Sequence, residues 1–472
     1  MAAAVVEKHS IDVVPDSERH GSAFNQFTLW LGANLHITAV VTGALAVVFG
    51  GDVVWSLIGL VVGNLLGGAV MALHSAQGPK LGLPQMIQSR AQFGVKGAVV
   101  PLLLVILMYV GFFASGTVLA GQATARLTHT NDTTGIIFFA LVTGIVATVG
   151  YRVIHVLGRV ASIVCALAFV YLAVRLFDRV DVGALLSDAH FSLPMFLLAV
   201  SLSASWQLAF GPYVADYSRY LPRTTSGKAT FWWTLAGSAL GSQWSMAFGV
   251  LVAASAGEKF IDNQVGYVVS LGGAGLAASF FYFVIALGKL TVNVLNTYGG
   301  FMSMVTGISG FRGQRVLSQR GRALYIGTIM VAGTVVALAG KDSFLTSFKD
   351  FLLFLLTFFT PWSAINLVDY YLISRERYDT PALFDANGRY GAWRWDALLV
   401  YGIGLLAQLP FLVTHFYTGP LVEPLGGADV SWIVGLVVPA ALYWLLARRS
   451  GAGVWPSEKT GDSPTAVGAT AP

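Results

Sequence analysis

The chain has 472 residues, 56% hydrophobic and only 11% charged, with a mean hydropathy of +0.70. Soluble domains carry about 25% charged residues, so a soluble globular protein is excluded and an all-α polytopic membrane protein is expected. The formal net charge of +5 follows the loops rather than a patch, which gives no nucleic-acid footprint.

Residues 1–25 read as a cytoplasmic tail without the apolar run of a signal peptide. Apolar runs long enough to cross a bilayer, about 20 residues each, fall near 26–49, 53–75, 98–122, 133–151, 153–176 and 194–215. Six more fall near 229–255, 272–297, 323–340, 347–373, 396–416 and 428–447, and residues 448–472 read as a disordered tail. Most Lys and Arg of the short loops share one side, Lys80, Arg90, Arg152, Arg223, Arg315 and Arg389 among them, with Arg449 and Lys459 in the tail. The other side holds only Arg126, Arg175, Arg179, Lys259 and Lys341. The excess predicts both termini inside a cell membrane crossed twelve times. The one cysteine, Cys165, lies in an apolar run and excludes an internal disulfide.

Two spans are interrupted by small and polar residues. The first carries Gly32-Ala33-Asn34-Leu35-His36, and the sixth carries Ser203-Ala204-Ser205-Trp206-Gln207 followed by Gly211-Pro212-Tyr213. Irregular backbone survives in hydrocarbon only against protein or a wet cavity. A matched pair of such breaks, five spans apart, marks a transporter's binding site at the membrane midplane. It implies a five-plus-five inverted repeat over 26–176 and 194–373, with 396–447 added as spans eleven and twelve.

Several side chains could serve that site. Asn34 and His36 are polar groups at a depth where polarity is costly; they either face a cavity or hydrogen-bond a neighbouring helix. The third span supplies Tyr109, Phe112 and Phe113, and the sixth supplies Trp206, Gln207 and Phe210. Aromatics from two walls would sandwich a flat ring. In the eighth span Lys289, Asn293 and Asn296 are spaced i, i+4 and i+7, on one helical face. The amides suit a heterocyclic edge, and the lysine needs a partner or must lose its proton. A polar seam between helices is the competing reading. Asp216 and Arg219, three apart near the end of the sixth span, are expected to pair with each other. No phosphate loop, zinc motif or clustered metal-ligand set occurs, so no cofactor, metal, ATP-driven pump or enzyme is expected.

With these residues in view, the chain resembles the nucleobase:cation symporter-1 family, in its purine–cytosine permease branch. The carriers are W-L-G-A-N-L-H-I at 30–37, G-P-K-L-G-L-P-Q-M-I-Q-S-R-A-Q-F-G at 78–94 and A-D-Y-S-R-Y-L-P at 215–222, with P-W-S-A-I-N-L-V-D-Y-Y-L-I at 361–373. The resemblance implies the leucine-transporter-like fold, alternating access, and a planar nucleobase held between spans one, three, six and eight. It puts His36 at the first-span pocket position and Phe112, with Tyr109 and Phe113, on the third-span stacking segment. The sixth-span stacking position falls on Trp206 or Gln207, and the amide readers on Asn293 and Asn296. In sodium-coupled relatives first-span carbonyls, here those of Gly32 and Leu35, hold the cation together with eighth-span hydroxyls. Here Lys289 and Leu290 stand at those hydroxyl positions, with Thr291 just beyond. That favours proton coupling or ion-independent uptake over sodium, with Lys289 as a substitute charge. The expected partners are thus a nucleobase, a proton or sodium ion, and membrane lipid; an oligomer is not implied. A carrier for another flat heterocycle (allantoin, hydantoin, uracil or a pyridoxine-like vitamin) shares the same pocket chemistry.

Overall fold

The protein is described by a computed structural model covering residues 11–149, 151–187, 189–313 and 319–449. Helices stand at all twelve predicted positions, and among the described residues the only β feature is an isolated bridge between Val413 and Thr418. By length and hydropathy alone seven helices qualify as spans, and the bent first pair makes eight. One of the seven, Arg320–Ile373, is two spans in succession, divided by a 3-10 turn at Lys341–Ser343. Two further apolar helices, Asp132–Ala147 and Trp395–Phe411, are shorter. The tails 1–10 and 450–472, and the loop cation Arg315, lie outside the described residues.

The first span breaks where its sequence asks it to. Phe24–Ala33 and Ile37–Val48 meet at 67°. Asn34 Nδ2 donates to the Trp30 carbonyl at 2.7 Å, taking the acceptor that its own backbone N–H would use in a continuing helix. His36 follows in extended conformation, φ −155° and ψ 162°, and starts the second half. The sixth span is interrupted less sharply. Ser203 to Gln207 are regular helix within Leu193–Leu208, and the winding tightens only at Gly211–Tyr213 before Val214–Ser218 resumes. Pro212 lies inside that tight turn, where its missing N–H is harmless.

Small residues set the close approaches around these breaks. Gly59, Gly63 and Gly67 form a stripe on the second span that faces the Phe196, Val200 and Ala204 backbone of the sixth. Gly43 and Gly249 do the same for the first and seventh spans, against Met246 and Val40. The eighth helix runs from Leu276 to Arg312, well past its predicted end, because 298–312 stays apolar and free of proline.

One face of the bundle is closed by the 78–94 loop. Its short helices sit on a buried polar network that starts at His74, 3.1 Å from Ser363 Oγ and 3.2 Å from Gln85 Nε2. Gln77, Asn366 and Gln92 extend it to Asp369, whose carboxylate accepts from Tyr378 at 2.6 Å and Tyr443 at 2.8 Å. Arg90 is buried in the same loop, donating to the carbonyls of Leu383 and Thr306 and to Ser309 Oγ. Burial pushes its guanidinium down to about 10. It therefore stays charged at neutral pH. Segment 11–20 is stitched on top, with Val14 N–H to the Gly82 carbonyl at 3.0 Å and Arg19 to the Pro79 carbonyl at 2.6 Å. This face, which carries residue 11 and the end of the last span, is called the terminal face below.

Candidate functional site

The two breaks lie against each other through Asn34. Its Nδ2 reaches Ser238 Oγ at 3.3 Å and its carbonyl accepts from Ser245 Oγ at 2.8 Å, both on the seventh span. Its Oδ1 accepts from Trp206 Nε1 at 2.7 Å, so the first-span amide fixes the orientation of the sixth-span indole. Asn34 is thus a positioning residue, fully buried and fully bonded.

An aromatic wall builds on Trp206. His36 lies 5.7 Å from it between ring centroids, Phe112 stands edge-on at 5.7 Å, and Phe210 edge-on at 5.9 Å. Phe112 in turn meets Phe351 of the tenth span at 5.1 Å. Spans one, three, six and ten therefore contribute rings to one cluster. Phe351 was not among the sequence-derived candidates, because a phenylalanine in an apolar span carries no signal of its own.

Other candidates are placed elsewhere. Gln207 faces away from Trp206 and spends its amide on the second and seventh spans. Its Nε2 donates to Asn64 Oδ1 and Ser242 Oγ at 2.9 Å, and its Oε1 accepts from Ser238 at 2.6 Å. Phe113 is fully buried against Gly333 of the ninth span. Tyr109 packs on Gly299 and lies 5.5 Å from Tyr213, nearer the terminal face than Phe112. Asp216 accepts from Gln85 N–H at 2.8 Å, while Arg219 donates to the Asp216 carbonyl at 3.2 Å and lies over the Tyr220 ring.

On the eighth helix, Lys289 and Asn293 occupy the space left by Gly116 of the third span, where a Cβ would collide with both. Asn293 Nδ2 donates to the Phe113 carbonyl at 3.0 Å and to Thr117 Oγ1 at 2.9 Å. Its Oδ1 has no partner although buried, and the same holds for Asn296 Nδ2 and His36 Nδ1. Buried polar groups are nearly always bonded, and an exception calls for a physical reason. Lys289 is 2% exposed and makes no ion pair among the described residues. Gly32 points its missing side chain into open space, and its carbonyl accepts the Leu35 N–H at 3.2 Å. Thr291 Oγ1 is turned onto its own helix, donating to the Gly288 carbonyl at 2.8 Å.

A bent first helix, an interrupted sixth and a cluster of aromatic rings where the two meet mark a polytopic membrane carrier. The chain belongs to the family described as permeases for cytosine/purines, uracil, thiamine and allantoin, which matches residues 13–435. It is 41% identical over 445 residues to a Bacillus subtilis protein provisionally described as purine-cytosine permease YxlA, covering 94% of this chain and 96% of that one. It is 25% identical to the purine-cytosine permease fcyB of Emericella nidulans, covering 93% of this chain and 88% of that one. Among solved structures, the inward-facing conformation of Mhp1 superposes with a TM-score of 0.76 at 18% identity, covering 95% of each chain. The closed conformation of Mhp1, a nucleobase-cation-symport-1 family transporter with bromovinylhydantoin bound, gives 0.74 at 18% identity over 96% and 97%. The fold is therefore the leucine-transporter-like one expected from the family resemblance, and the family is one of transporters rather than enzymes.

Proposed function

We propose that the chain imports a planar nucleobase, cytosine or a purine, across the plasma membrane by alternating access. The observation that carries this is the Trp206–Phe112 wall with the buried, unpartnered His36 Nδ1 beside it, together with the buried, unpartnered Asn293 Oδ1 and Asn296 Nδ2 of the eighth helix. A flat ring would stack on the wall, and its donor and acceptor edge would satisfy the atoms that the protein leaves open. The descriptions of YxlA and fcyB as purine-cytosine permeases support the same substrate class.

In this reading Trp206, rather than Gln207, is the sixth-span stacking residue, with Phe112 and Phe210 beside it, and Asn293 and Asn296 read the edge. Tyr109 sits below the ring, and Phe113 serves through its carbonyl, which holds Asn293. Both termini are cytoplasmic, so the terminal face is the inner one, in keeping with the arginines and lysines of its loops. The two repeats span 26–176 and 194–373, with 396–447 outside them.

Coupling is to protons, with Lys289 supplying the charge that sodium supplies elsewhere. Its support is the lysine's burial without an ion pair among the described residues. The deciding experiment is uptake of radiolabelled cytosine by the reconstituted protein, competed by a panel of bases. Repeating it with sodium replaced, and with the pH gradient collapsed, tests the coupling. Competition by cytosine and purines but not by hydantoin or allantoin is expected. Uptake blocked by allantoin alone would refute the nucleobase assignment.

A further inference from the structure

The aromatic cluster does not stop at Trp206. Along the sixth span the rings continue towards the terminal face as Phe210, Tyr213 and Tyr217, with centroid steps of 5.9, 5.9 and 6.4 Å. Trp30 of the first span lies alongside all three lower rings, 5.2 Å from Phe210, 6.3 Å from Tyr213 and 5.5 Å from Tyr217. Tyr109 of the third span closes the other side, 5.5 Å from Tyr213 and tilted by 37°. These rings meet edge-on or tilted, at 88°, 79° and 62° along the sixth span and 50° to 84° against Trp30, so they form a continuous aromatic lining whose faces turn from one ring to the next.

Two observations set this ladder apart from ordinary core packing. The hydroxyls of Tyr109 and Tyr213 make no hydrogen bond among the described residues, yet neither is shut away from solvent, so both open onto accessible space rather than into packed core. The ladder also borders free space. Phe210 and Tyr213 are only half-buried, and Gly32, two residues after Trp30, would carry a Cβ without meeting any atom within 4 Å. A tightly packed core leaves no such accessible space beside its rings.

We propose that Trp30, Tyr109 and Tyr213 form a second stacking station for a flat heterocycle, below the central site and on its route to the terminal face. The rings receive the π-face, and the two phenol hydroxyls, each both donor and acceptor, meet the polar edge. The ring leaving Trp206 thereby exchanges one aromatic wall for the next and is never surrounded by aliphatic side chains alone. The same sixth span carries both walls, so the winding change at Gly211–Tyr213 re-aims Tyr213 relative to Trp206. This inference rests on the nucleobase reading above.

The test separates binding from passage. Equilibrium cytosine binding is measured on the purified protein, and cytosine uptake on the same protein in liposomes. Tyr213→Leu removes the ring, and Tyr213→Phe keeps the ring but loses the hydroxyl. Expected are equilibrium affinities within about twofold of wild type for both variants, with uptake turnover lowered roughly tenfold for Tyr213→Leu and less for Tyr213→Phe. Trp206→Ala, in contrast, loses binding itself. A Tyr213→Leu affinity as weak as that of Trp206→Ala would merge the two stations into one and overturn the inference. So would unchanged turnover, which would leave Tyr213 a packing residue. If Tyr213→Leu does not elute as a folded protein, Tyr213→Phe and Tyr109→Phe decide by the same criteria. Failure of wild-type protein to bind cytosine or any purine would instead overturn the nucleobase reading itself.

Discussion

Trp206 and Gln207 are neighbours in sequence and lie on different sides of their helix, because successive residues turn by about 100°. Trp206→Ala and Phe112→Ala should therefore weaken binding of every flat ligand tested, by about 0.5–1.5 kcal/mol per ring contact, in competition assays. Gln207→Leu should act differently. It leaves Asn64, Ser238 and Ser242 short of partners, at about 1–3 kcal/mol for the unsatisfied groups. A lowered melting temperature with an unchanged order of preference among bases is the expected result. Asn293→Ala and Asn296→Ala should change that order instead, since a polar edge left unpaired is what discriminates between ligands. An equal loss for all bases would remove the amides from the reading role. The residue types of this site were legible in the sequence, because polar groups and breaks are conspicuous in apolar spans. Their directions were not, and Phe113 shows why: its ring faces Gly333, a neighbour 220 positions away, and only the packing of the ninth span decides that.

At the scale of elements, the breaks do different work. The first-span break is a true bend of 67°, produced locally by Asn34 competing for the Trp30 carbonyl and held by the seventh span. The sixth-span break is a short tightening that leaves Trp206 on regular helix and changes only the rings below it. Glycine stripes set how close these elements come. Gly63→Val should force the second span off the sixth, because even a Cβ there collides with the Val200 carbonyl. Overpacking of this kind costs about 1–3 kcal/mol, so reduced thermal stability in detergent is expected. Gly32 faces open space, and Gly32→Ala should leave stability unchanged by the same measurement.

For the whole molecule, the sign of coupling is the sharpest prediction. If Lys289 supplies the charge, uptake should follow an inward proton gradient and persist when sodium is replaced. Lys289→Met should abolish the gradient dependence while equilibrium exchange of labelled for unlabelled cytosine continues. A sodium requirement with indifference to pH would assign the coupling to the first-span carbonyls instead. The sequence by itself determined the twelve spans, the place of the first break, the Gly211-Pro212-Tyr213 part of the second, and the apolar character of the whole. These follow from the hydrocarbon solvent, which penalises every unpaired backbone and polar group and so writes its demands residue by residue. Only the tertiary structure decided which side chains face one another across the centre. It set Asn34 to aim Trp206, turned Gln207 and Phe113 outward, and lined up Trp30, Tyr109 and Tyr213 below the central wall. Those choices depend on close approaches between helices far apart in the chain, where a glycine on one span makes room for a side chain of another. No local pattern encodes such pairings.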